Sequence, residues 1–283
     1  MIIGHQKQRK ALKHFLEKEN TPHAFIFHGP EKVGKKSIAF DFISSVNGIE
    51  EYTQNHPDLF TVFPEKGEIY IHQIEEMVQR ASLKSSFLRF KGVVIDEAHL
   101  MNTEAQNSLL KTLEEPVGDT IIILVTEHPF MLLPTISSRA FKMGFGFVDT
   151  PEISKFLLKR GCSESEEIAT LSCGRPGLAF EYFSDKEKRN TEKERRKEFA
   201  DIVKGSVSFR LLKVKEIAKR EDLVETMKCW LDYLRDDLLE RVKKRESVKN
   251  MVGVIEDLED AIILNRKTNI NIQLILEKIM IKL

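Results

Sequence analysis

Long apolar runs are scarce in this 283-residue chain. No stretch approaches the roughly 20 residues that a helix needs to cross a bilayer, and the N-terminus lacks the uninterrupted apolar region of a signal peptide. Cysteine is scarcer still. Cys162, Cys173 and Cys229 lie far apart and fit neither a disulfide framework nor a zinc quartet, so they read as reduced thiols of a cytoplasmic protein. An excess of either charge is also missing, with 44 Lys and Arg against 44 Asp and Glu. No global field then draws the chain to nucleic acid or lipid, and any DNA contact must come from a local patch or through partners. The hydrophobic share of 41% is ample for real cores, and the length fits about two domains.

What is present falls into two compositional halves. Up to about residue 148, apolar runs alternate with helical periodicity. Ala11, Leu12, Phe15 and Leu16 keep helical spacing up to a stop at Asn20-Thr21-Pro22, and the run Ala24 to Phe27 follows as a strand. Ile38, Ala39, Phe42 and Ile43 continue a helix to Asn47-Gly48, and Asp58 to Phe63 reads as a strand. Ile69-Tyr70-Ile71 reads as a brief strand before a helix carrying Ile74, Met77, Val78 and Ala81. Gly92 to Glu97 is a buried strand ending in two carboxylates, Met101 to Leu113 an amphipathic helix broken at Glu115-Pro116, and Thr120 to Thr126 an aliphatic strand. Continuous apolar strands alternating with helices predict a parallel sheet covered on both faces, an α/β domain over residues 1–148. Beyond Asp149-Thr150-Pro151 the β-branched runs nearly vanish. A small helical module over 149–184 and an all-helical domain over 185–283 are expected. The mixed-charge tract Asp185 to Lys197 reads as a solvated helix or linker.

The strand–loop–helix around Gly29-Pro30-Glu31-Lys32-Val33-Gly34-Lys35-Lys36-Ser37 carries the first chemical signal. It fits the phosphate-loop pattern G-x-x-x-x-G-K-[ST] at Gly29, Gly34 and Lys35, but Lys36 stands where a hydroxyl should meet Mg²⁺. A second cation there would crowd Lys35 unless Lys36 swings into solvent. Ser37, about 100° further round the helix, cannot simply replace the hydroxyl. Asp96 and Glu97, at the end of the next chemistry-bearing strand, match the second half of such a site: Asp96 for the Mg²⁺ shell, Glu97 to orient or activate water. On the residues alone, a loop weakened or retired as a catalyst is the expectation.

Gly92 to Asn102 (Gly-Val-Val-Ile-Asp-Glu-Ala-His-Leu-Met-Asn), Ala105 to Pro116 (Ala-Gln-Asn-Ser-Leu-Leu-Lys-Thr-Leu-Glu-Glu-Pro) and Leu132 to Arg139 (Leu-Leu-Pro-Thr-Ile-Ser-Ser-Arg) closely resemble the clamp-loader subfamily of AAA+ proteins. The lead-in His23 to Glu31 and the ending Asn269 to Glu277 carry the same likeness. The resemblance implies an AAA+ module with a parallel sheet and phosphate loop, a small helical lid and a C-terminal helical collar. By position, Arg139 looks like the arginine finger lent in trans to a neighbouring subunit's ATP, with Ala140 in place of the family's cysteine. The implied nucleotide site comprises Gly29, Gly34, Lys35, Ser37, Asp96, Glu97 and Arg175. Arg175 lies near the sensor-two position, though a helix-capping role fits equally. Thr126 falls near sensor one, loosely, with His128 where Asn is often found.

Two departures from related subunits stand out. Residues 38–92 contain no cysteine, so the four-cysteine zinc module of many relatives is not expected, and His56 and His72 alone cannot make a tetrahedral site. Lys32 also stands where related loops often carry glycine, restricting the backbone's approach to phosphate. The resemblance therefore implies a non-motor clamp-loader subunit that can take ATP without being expected to hydrolyse it. Its implied partners are the motor and clamp-opening subunits, the sliding clamp and, through the complex, primed DNA, with no membrane. The alternative is an active AAA+ ATPase, either a clamp-loader motor subunit or a branch-migration-type motor.

Overall fold

The computed structural model describes residues 2–17, 21–49, 56–83, 85, 87–115, 118–267 and 271–283. Asn20, Pro116, Asn269 and Ile270, which figured in the expectations above, lie outside these residues. The chain forms two compact units, Met1–Phe180 and Glu181–Leu283.

The first unit is built on five strands: β1 (Ala24–His28), β2 (Leu59–Val62), β3 (Lys91–Ile95), β4 (Thr120–Thr126) and β5 (Phe141–Gly144). They pair in parallel in the order β2-β3-β4-β1-β5. β3 and β4 are buried at every residue, which is why their sequences run apolar without alternation. β1, β3 and β4 still divide their side chains between two cores. Phe25, Phe27, Ile121 and Ile123 join Leu12 of α1 (Gln6–Glu17) and Ile38 and Phe42 of α2 (Lys35–Val46). Ile26, Val93, Ile95 and Leu124 join Ile74 and Met77 of α3 (Ile71–Ser82) and Ala105 and Leu109 of α4 (Thr103–Glu114). Asn47 ends α2 as expected: its side chain donates to the carbonyls of Ile43 at 3.0 Å and Phe90 at 3.1 Å.

Two expectations about local structure change. Of Ile69-Tyr70-Ile71 only Ile69 bridges, to Met101, while Tyr70 caps α3 and Ile71 begins it. β5 was not anticipated, because Phe141, Lys142 and Gly144 are exposed and leave no apolar run to mark a strand on the edge beside β1. The short α5 (Pro134–Ser137) precedes β5; α6 (Thr150–Lys159), α7 (Ser165–Leu171) and α8 (Pro176–Ser184) follow it.

The second unit is helical: α9 (Lys186–Lys204), α10 (Val207–Ile217), α11 (Leu223–Lys243), α12 (Lys249–Lys267) and α13 (Ile272–Lys282). Its core stacks Phe199 on Trp230 at 4.8 Å, with Met227, Leu258, Leu276 and Met280 around them. The mixed-charge tract is indeed a helix, capped by Asp185, whose carboxylate accepts from the Lys188 N–H at 3.0 Å. One part of its face is buried rather than solvated: Glu192 is only 7% exposed, and Arg195 and Arg196 pair with Asp222 at 2.6 Å and Asp236 at 3.2 Å. Alternating signs allow this, since each arginine finds a carboxylate across the helix boundary. Among the described residues no helix is long and apolar enough to cross a membrane.

Candidate functional site

Parallel strands end on one edge of the sheet, so the turns after β1, β3 and β4 gather there, with β4 between the other two. The turn after β1 is the glycine loop. Gly29 has φ 141°, and a Cβ there would lie 2.0 Å from the Phe145 carbonyl oxygen. Only glycine lets the loop leave β1 this close to the strand-end neighbour. Lys32 sits at φ 57°, the left-handed region that glycine occupies without strain. Its carbonyl accepts the Gly177 N–H at 2.8 Å, which ties the first turn of α8 to the loop. On the other side, the His5 ring lies 2.9 Å from the Val33 carbonyl and edge-on to Phe145.

Lys35 and Lys36 are both held by the fold. Lys35, only 5% exposed, donates to the Gly29 carbonyl at 2.6 Å and to that of Pro30. Burial pushes its ammonium below the ordinary lysine range, while the carboxylates of Glu127, Asp96 and Glu31 pull the other way. Lys36 does not swing into solvent. Its Nζ meets Asp96 Oδ2 at 2.9 Å and lies 4.1 Å from the centre of the Phe63 ring. The crowding expected from two adjacent cations is relieved by a countercharge 60 residues further on. Strand register explains the Phe63 contact: Val62 pairs with Ile95, and the Asp96 N–H donates to the Val62 carbonyl at 3.0 Å, so Phe63 and Asp96 leave adjacent strands side by side. Asp96 Oδ1 accepts the Glu97 N–H at 3.1 Å; Glu97 itself is exposed, at φ 47°. Ser37 is exposed on α2.

The remaining candidates lie apart from this pair. Thr126, at the end of β4, accepts the His128 N–H at 3.0 Å and lies 3.3 Å from His99 Nδ1, whose ring meets that of His128 edge-on at 5.0 Å. Arg175 is buried with its guanidinium 5.3 Å from the Phe147 ring, and its backbone N–H donates to the Ser172 carbonyl at 3.0 Å just past α7. Arg139 follows α5 on an exposed turn. Its guanidinium donates to the Thr135 carbonyl at 2.9 Å and pairs with Glu114 Oε1, at the end of α4, at 2.6 Å. His56 and His72 serve other contacts: His56 Nδ1 accepts the Asp58 N–H at 3.2 Å, and His72 stacks on Tyr70.

With this geometry in view, the family described as DNA polymerase III, delta subunit, matches residues 4–148, half of the chain. The chain belongs to that family. It is 30% identical to DNA polymerase III subunit delta' of Pseudomonas aeruginosa, with 54% of this chain and 53% of that one covered. Against the delta' subunit of Bacillus subtilis it is 33% identical over 54% and 51%. The chain thus spans about half the length of the curated relatives it matches. A crystal structure of a DNA polymerase III gamma subunit-related protein of Thermotoga maritima superposes with a TM-score of 0.54 at 20% identity, covering 95% and 97% of the two chains. At that identity it speaks for the fold alone, a parallel α/β sheet unit followed by helices.

AAA+ folds imply a magnesium nucleotide, and the residues here do not fit one. The position after Lys35 carries an ammonium instead of a hydroxyl, and that ammonium already holds the carboxylate that would order the metal's shell. Three contributors were missed in the sequence. Phe63 could have been found only from the pairing of β2 with β3, and Gly177 only from the return of α8 to the loop. Glu114 lay in plain view within the Leu-Glu-Glu-Pro run, but nothing in the spacing pointed it at Arg139.

Proposed function

We propose that this chain is a non-motor subunit of a bacterial replicative clamp loader, of the delta' kind. It would assemble with motor and clamp-opening subunits, help them open a ring-shaped sliding clamp and place it on primed DNA, and present Arg139 to the ATP of an adjacent motor subunit. One contrast carries this reading. The chain's own loop has its carboxylate Asp96 taken by Lys36, whereas Arg139 stays on an exposed turn, held by the Thr135 carbonyl of its own turn and by a surface carboxylate, Glu114. A planar, permanently charged guanidinium suits the charge that develops on a transferring γ-phosphoryl group. An exposed pair of this kind is worth about 0.2–1 kcal/mol, little enough for the guanidinium to leave Glu114 when a phosphate is offered. The family match and the delta' relatives support the same assignment.

The test uses the purified chain alone. Incubated with Mg-ATP it is expected to release phosphate no faster than a protein-free control, and to co-purify with motor and clamp-opening subunits when all are mixed. Steady turnover by the chain alone would make it a motor and overturn the proposal.

A further inference from the structure

The loop departs from the phosphate-loop pattern at Lys36, yet the Lys36 ammonium is held too well for a mere loss. It is the second residue of α2, it reaches Asp96 Oδ2 at 2.9 Å, and two aromatic rings flank it, Phe63 at 4.1 Å and Phe40 at 5.9 Å from their centres. Ring faces attract cations, and a carboxylate beside them fixes the ammonium's place. Asp96 in turn accepts the Glu97 N–H on its other oxygen, which orients the carboxylate toward the ammonium.

We infer that Lys36 is a resident cation that takes the place of the divalent ion at this site. The position that offers a hydroxyl to a metal in the phosphate-loop pattern here supplies a positive charge itself, and the carboxylate that would order the metal's water shell holds that charge instead. A divalent cation brought to Asp96 would meet an ammonium less than 3 Å from its ligand oxygen. The two cations repel, and the metal gains little from a carboxylate whose charge already neutralises the ammonium. Any nucleoside polyphosphate this loop meets is therefore met without magnesium. Replacing Lys36 by threonine returns the hydroxyl, frees Asp96 and creates a magnesium requirement that the natural chain lacks.

This inference rests on reading the loop as the family's nucleotide site, and it is independent of Arg139. The experiment is a fluorescence titration of the whole chain with an N-methylanthraniloyl ATP, once with Mg²⁺ and once with excess EDTA. For the natural chain the two curves should agree to within roughly threefold in apparent affinity, or both be flat, since a ligand tightens only through what it binds. Lys36→Thr and, as a second variant, Lys36→Ser should each bind about tenfold or more tightly with Mg²⁺ than with EDTA, a gain that Asp96→Asn added to either removes. Circular dichroism confirms that the variants are folded. Magnesium tightening of the natural chain by more than about threefold overturns the inference. So does indifference to magnesium in both folded variants. Neither result bears on the finger, because the ATP that Arg139 serves belongs to another subunit.

Discussion

Two ion pairs in the first unit use the same chemistry for opposite ends. Lys36 and Asp96 join α2 to the end of β3 above an aromatic ring, with side chains only 33% and 21% exposed. Arg139 and Glu114 join a surface turn to the end of α4, and 35% and 49% of their side chains meet solvent. The first pair is part of a packed edge: the loop beside it is bonded to α8 through Lys32 and Gly177 and pressed on Phe145 at Gly29. The second is a countercharge that water and salt can replace. The two cations are about equally exposed, so it is the burial of the carboxylate and the surrounding contacts, not the pairing itself, that make Lys36 a fixture of the fold and leave Arg139 on the surface.

The comparison can be broken most forcefully at its backbone. Gly29→Ala places a Cβ against the Phe145 carbonyl oxygen, at 2.0 Å in the present geometry, with the residue at φ 141°. A loss of about 3 kcal/mol or more is expected, read as a lowered urea midpoint, because backbone cannot move aside as a side chain can. An unchanged midpoint would mean that the loop is not the fixed region described here. Smaller, but more specific, is the coupling between Lys36 and Asp96. A double-mutant cycle with Lys36→Met and Asp96→Asn should give about 1 kcal/mol, most of it surviving 1 M salt because the pair is half-buried. The smallest effect belongs to the surface pair: Glu114→Gln and Arg139→Gln should couple by about 0.3 kcal/mol, vanishing in 1 M salt. Equal couplings with equal salt sensitivity would remove the distinction between the two sites.

Much of the sheet was legible because its strands are buried on both faces, so β4 was predicted over Thr120–Thr126 as observed. The edge strand β5 was not, since an edge exposes its residues and carries no apolar signature. The loop and Asp96 were legible from residue types at fixed spacing, and the arginine turn from the resemblance to the clamp-loader subfamily. What those residues bond to was not. Lys36 was expected to be repelled from the site, and the relief came from Asp96 across two strand spacings, a long-range fact that spacing along the chain cannot carry. Ser37 matched a hydroxyl by type, yet it faces outward. The charged tract opening the second unit showed the converse failure. Composition alone pointed to solvent, but pairing across α9 and α11 lets Arg195, Arg196 and Glu192 pack inward.

The central proposal is that this chain acts on the nucleotide of a neighbouring subunit. The direct measurement is the DNA-stimulated ATPase of a clamp loader reconstituted with Arg139→Ala, beside one with the natural chain and with assembly checked by gel filtration. The account predicts an intact complex whose hydrolysis at the site facing this chain falls by about tenfold or more, since a finger supplied in trans is worth at least that much in comparable enzymes. Hydrolysis at the natural rate in the intact Arg139→Ala complex would contradict it.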